Sequence, residues 1–154
     1  MTRDARFEDG HEKPLHLKAF DTEDLQVIGA LVQDAVLPMD QVEWNRKSRR
    51  LALLVNRFRW ERGAQATPER VQSMLVIEDV RKVQSQGVDR GRSDTVTSIL
   101  SLSFEPADDG QGRVMIVMAG DGAICADVEA LEITLKDVTR PYIAPSGRRP
   151  DHGA

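Results

Sequence analysis

The feature that most constrains this chain is a change of hydrophobic period. Leu25, Ile28, Leu31 and Val32 recur at helical spacing, and beyond Asp34 the period falls to about two. A helix buries a stripe and a strand buries a face, so one early helix followed by many strands must share a core. "ADDGQG" and "GDG" each join two apolar runs. Strands linked that tightly are antiparallel neighbours, because a parallel crossover needs about a dozen residues.

The individual runs fill in this outline. "LHLKAF" sets Leu15, Leu17 and Ala19 against His16, Lys18 and Phe20, as a short half-buried strand would. Asp21 is placed to cap the helix, with Asp24 at the reciprocal position of a capping box. Gln41 to Trp44 and Leu51 to Trp60 flank the polar bend "NRKSRR", which reads as a hairpin with a longish loop. Leu51 to Val55 is apolar on both faces, so cover is expected on both sides. "RVQSMLVIEDVRKVQSQG" continues the strand pattern, and "TVTSILSLSFEP" places Val96, Leu100, Leu102 and Phe104 on one face. The fold class expected is α+β: one N-terminal helix packed on a mostly antiparallel, curved or partly barrel-like sheet of about six to eight strands.

At 154 residues the chain has room for one ordinary core. That domain is expected at 14–142, between a flexible N-terminus, 1–13, and a flexible C-terminal tail, 143–154. Net charge −4 and a pI near 5.4 argue against wholesale binding of nucleic acid or anionic lipid, while leaving room for a local patch. Cys125 is the single cysteine, which rules out an intramolecular disulfide and a multi-cysteine zinc site and suits a reducing cytoplasm. No run approaches the eighteen or so apolar residues of a membrane helix, so no membrane association is expected.

"IVMAGDGAICADV" has the look of a phosphate-gripping loop. Such a loop opens a helix, whereas a strand follows this one, so Gly120, Asp121 and Gly122 read as a hairpin turn. The segment 43–62 carries a local excess of positive charge. Arg46, Lys47, Arg49, Arg50, Arg57 and Arg59 are the candidate polyanion-binding residues, with Trp44, Phe58 and Trp60 interleaved as in sheets that bind single strands. Alternation puts Arg57 and Arg59 on one face and Phe58 and Trp60 on the other with Leu54, which would assign the aromatics to the core. Arg81, Lys82, Arg90 and Arg92 could extend the patch.

Enzyme chemistry finds little to use. His11 and His152 lie in the expected flexible ends, His16 points outward, and Cys125 has no basic neighbour. Glu78 with Asp79, and Asp127 with Glu129, are paired carboxylates that solvated strand positions explain equally well. No catalytic residue, metal ligand or cofactor is assigned.

"DTEDLQVIGALVQDAV", "RRLALLVNRFRWE", "RVQSMLVIEDVRKVQSQG", "ILSLSFEP" and "GDGAICADVE" together resemble an uncharacterised alphaproteobacterial family, domain of unknown function number twenty-nine forty-eight, from Leu15 to Tyr142. The resemblance implies a bacterial, cytoplasmic protein and supplies no activity, cofactor or catalytic residue. The reading that follows is a non-catalytic interaction module, with a protein partner or self-association on an open sheet face or edge. Nucleic-acid or polyanion binding through 43–62 is the alternative, and an enzyme whose site is assembled from distant residues is the third.

Overall fold

The computed structural model describes residues 14–63, 65–88 and 95–144. The expected N-terminus 1–13 and residues 145–154 of the expected tail 143–154, and with them His11 and His152, lie outside the described residues, as do Arg90 and Arg92. The described residues begin with β1 (His16–Ala19) and α1 (Thr22–Val32), the one α-helix among them. Asp21 caps α1 by accepting from the Asp24 backbone N–H at 2.8 Å, and Glu23 and Asp24 in the first turn suit the positive end of the helix dipole. Leu25, Ile28 and Val32 form its buried stripe.

After the helix the chain is strands and short turns: β2 (Val36–Pro38), β3 (Val42–Asn45), β4 (Arg50–Phe58), β5 (Glu69–Ile77), β6 (Val80–Gln86), β7 (Val96–Pro106), β8 (Gly112–Met118), β9 (Gly122–Val128), β10 (Ile133–Asp137) and β11 (Tyr142–Ile143). They form one antiparallel sheet in the order β1-β10-β5-β4-β2-β7-β8-β9-β6, with β3 beside β4 and β11 beside β5. Among the described residues the sheet is open, ending on β1 and β6, so the expected barrel-like closure is not what these strands form. Among the described residues the strands number eleven, more than the sequence expectation, because β2 and β11 are too short to show a period and the run 70–87 divides into β5 and β6.

Two local devices set the course of the strands. At Ile99/Ser101 the β7–β8 register shifts by one residue, so Ile99 is buried while Leu100 turns out to solvent, 43% exposed. The sequence put Leu100 on the inner face with Leu102. The bulge inserts one residue and reverses the alternation. The second device is the corner Glu78–Asp79. "RVQSMLVIEDVRKVQSQG" reads as one strand pattern, yet β5 pairs with β4 and β10 while β6 pairs with β9. Asp79 takes a left-handed φ of 56°, which lets the chain leave one part of the sheet and enter another.

The core is contiguous: Leu25, Ile28 and Val32 of α1 meet inward residues from β4, β5, β7, β8, β9 and β10, including Leu53, Leu75, Ile116, Ile124 and Leu135. Past residue 142 the chain stays tied down for two more positions. Ile143 pairs with Glu69, and the Ala144 N–H donates to the Pro68 carbonyl at 3.0 Å.

Candidate binding groove

β3 and β4 form the expected hairpin, with Asn45 opposite Arg50 and residues 46–49 as its loop. The Asn45 side-chain oxygen accepts from the Ser48 N–H at 3.1 Å, and Arg49 closes the turn with a left-handed φ of 57°. The Arg49 carbonyl then accepts from the Val80 N–H at 2.8 Å. That one bond lays the start of β6 against the turn, across 31 residues of sequence.

Between turn and strand lies a groove of about 490 Å³, lined by Trp44, Arg46, Arg49, Val80, Arg81, Lys82 and Val83. Four cations from two separate segments therefore face one space, around a floor of Trp44, Val80 and Val83. Arg49 is held by Glu129 at 2.7 Å, and Arg81 donates to the Gln111 side-chain oxygen at 3.1 Å. Arg46, Lys47 and Lys82 make no ion pair with a described residue. Lys47 is exposed on the same turn outside the lining.

The groove sits on a seam. Among the described residues β3 pairs with β4 alone and β6 with β9 alone, so each has a free edge. Trp44 stands near Val80–Val83 in this groove, and at the other end Met39 shares a second hollow of about 340 Å³ with Gly87 and Val88. The two edges thus run past each other in opposite directions without pairing. Met39, Val42, Trp44, Val83 and Val88 along them are only half-buried against the core.

The remaining candidates lie elsewhere. Arg50 turns away to Glu78, Nε to Oε1 at 2.5 Å. Arg57 is wholly buried, and Arg59 is 7% exposed. Counting in twos from Leu51 gives the reason: Leu51, Leu53, Val55 and Arg57 share the inward face, whereas the sequence reading had assigned the core to the face of Phe58 and Trp60. Phe58 is buried too, with Trp60 edge-on at a centroid distance of 4.7 Å, because alternation ends where β4 runs out. Neither arginine presents its charge to solvent.

Arg57 instead closes a buried polar cluster. Its Nη2 donates to both Asp137 oxygens at 3.0 Å and to Glu61 Oε2 at 2.9 Å, and its Nη1 to Glu61 Oε1 at 2.9 Å. The Ser73 hydroxyl donates to Asp137 Oδ1 at 2.6 Å and accepts from Arg57 Nε at 3.1 Å. Burial acts to lower the Arg57 pKa, but hydrogen bonds and charge from Glu61 and Asp137 outweigh it and the guanidinium is held above the ordinary arginine value. Burial likewise pushes Glu61 up, and its bonds to Arg57, with the Arg59 charge, bring it below the usual carboxylate range. Arg59 pairs with Glu69 at 2.6 Å.

The other sequence candidates are absorbed by structure. Gly120 and Asp121 have φ of 79° and 65° in the turn joining β8 to β9, which is the hairpin reading of "GDG". Three of the four paired carboxylates go to arginines, Glu78 to Arg50, Glu129 to Arg49 and Asp127 to Arg113 at 3.1 Å, while Asp79 forms the left-handed corner between β5 and β6. Among the described residues no three His, Cys, Asp or Glu side chains converge on a metal-sized site. Cys125 is half-buried on β9 and His16 is exposed on β1. No helix among the described residues is long and apolar enough to cross a membrane.

A family model described as a protein of unknown function (DUF2948) matches residues 15–152. No curated protein matches the chain significantly, and no solved structure does.

Proposed function

Because the chain belongs to this family, whose description names no activity, the groove must speak for function, and we propose that the protein is a non-catalytic interaction module that binds an acidic protein partner there. The observation that carries this reading is the convergence of Arg46, Arg49, Arg81 and Lys82 on one open groove floored by Trp44, Val80 and Val83. In an acidic protein such a concentration of cations is a specific local field. An apolar floor inside a charged rim is also the usual anatomy of a protein-binding patch.

Cytoplasmic residence is part of the same reading, supported by the single cysteine. Nucleic-acid binding is the second reading, and Trp44 is what favours it, since an indole among arginines can stack a base. Arg57 and Arg59 contribute to neither, being buried and committed to carboxylates.

The test is a pull-down from nuclease-treated and untreated bacterial lysate, made with the wild-type protein and with an Arg46→Glu/Arg81→Glu/Lys82→Glu variant. A stoichiometric, acidic protein that survives nuclease and is lost with the variant supports the leading reading. Nucleic acid lost with the variant moves the conclusion to the second. Partners retained equally by both proteins contradict the groove as the site.

A further inference from the structure

We infer that the groove takes its partner as an added β-strand: an extended segment alternating apolar and acidic residues, hydrogen-bonded along the free edge of β6 with β3 as the far wall. This rests on the groove being the binding surface and adds the form the ligand takes there.

Four observations support it. β6 is a terminal strand of the sheet, so the backbone groups on its outer side have no strand partner among the described residues. Unpaired edges are templates for an incoming strand, and main-chain bonding of this kind is a common mode of peptide recognition. The bulge between Val80 and Lys82, with Val80 already tied to Arg49, confines the usable edge to Lys82–Gln86.

The second observation is alternation on both walls. On β6, Val83 and Ser85 are half-buried while Lys82, Gln84 and Gln86 are exposed, and on β3 Val42 and Trp44 are half-buried while Glu43 and Asn45 are exposed. A strand lying between them meets the same division. Its inward side chains would complete the cover of Val42, Trp44 and Val83, and its outward ones would lie among the cations.

Third, the charge on the rim selects the outward residues. Arg46, Arg49, Arg81 and Lys82 face the groove, Glu43 is the one carboxylate carried by β3 and β6 themselves, and Glu129 is already engaged by Arg49. Acidic side chains are the complement. Fourth, the same basic residues and the bulge discourage indiscriminate edge pairing by neutral or basic strands, which makes the edge selective.

The experiment uses the full chain and an octapeptide alternating glutamate and valine, with two further versions N-methylated on either alternate set of backbone nitrogens. A single-stranded oligonucleotide of equal charge is the comparison. Binding is followed by Trp44 fluorescence in a Trp60→Phe background and by amide hydrogen exchange. Strand addition gives binding of the parent peptide, a loss of at least about tenfold with one methylated set, since several main-chain bonds are removed together, and slowed exchange within 82–86. Equal binding of all three peptides with no new protection overturns strand addition and leaves the groove as an anion-binding site. Binding of the oligonucleotide alone overturns the peptide ligand while keeping the groove. Failure of every ligand to bind overturns both.

Discussion

Arg57 is the residue around which the end of the core is organised. A guanidinium with no solvent contact is tolerable only because Asp137, Glu61 and Ser73 occupy its donors. Arg57→Ala strands Asp137, itself 6% exposed, without its counter-charge. The expected loss is about 3–5 kcal/mol in denaturant unfolding, as for other buried pairs deprived of one partner. A loss below about 1 kcal/mol, the range of exposed ion pairs, would contradict this. Glu61 gives the same cluster an acid sensitivity. Its folded pKa is depressed, so its stabilisation is complete above the ordinary glutamate range and disappears as pH falls through the lowered folded value. Urea midpoints taken from about pH 6 down to about pH 3 should therefore fall less steeply for Glu61→Gln than for the wild type. Leu51, Leu53, Val55 and Arg57 share a parity, but Ala52 and Leu54 make the other face of the run apolar too, so the pattern alone does not choose between them. The burial of Arg57 was hidden further by the ordinary presumption that a charge faces water, and its carboxylate partner at 137 lies 80 residues away.

At the level of elements, the parts carried by local chemistry were readable. The capped helix, the 45–50 hairpin and the "GDG" turn follow from spacing and from residues that tolerate their backbone angles. The β7 bulge was not readable, because "TSILSLS" alternates acceptably in either phase and the choice is made by pairing with β8. The β5–β6 corner was hidden for a related reason: apolar runs on both sides of Glu78–Asp79 keep the same period while their strand partners change. The end of the β7–β8 hairpin offers a test of packing at this scale. A Cβ placed on Gly112 would lie 2.4 Å from the Phe104 ring and 2.5 Å from the Glu105 carbonyl oxygen. Gly112→Ala should cost about 1–3 kcal/mol, as overpacking generally does. An unchanged unfolding midpoint would show that β7 and β8 are less closely apposed than described.

For the molecule as a whole, the groove comes from topology. Arg46 and Arg49 belong to one hairpin and Arg81 and Lys82 to another strand; β5 ends with Ile77 opposite Leu51, the Glu78–Asp79 corner then delivers Val80 to the turn, and pairing with β9 carries β6 onward from there. Composition dilutes that concentration of charge into a net −4. If the groove is an electrostatic site, affinity for an acidic peptide should fall as salt rises, since exposed charges more than about 10 Å apart are screened at 0.1 M. Affinity indifferent to salt would point to the apolar floor alone. The most direct measurement is an amide NMR titration of the wild-type protein with the alternating glutamate–valine peptide. The largest shifts should fall at residues 44–49 and 80–86, and the Arg46→Glu/Arg81→Glu/Lys82→Glu variant, still folded, should lose them. Shifts centred on another surface, or identical shifts in the variant, would contradict the claim that this groove is where the protein meets its partner.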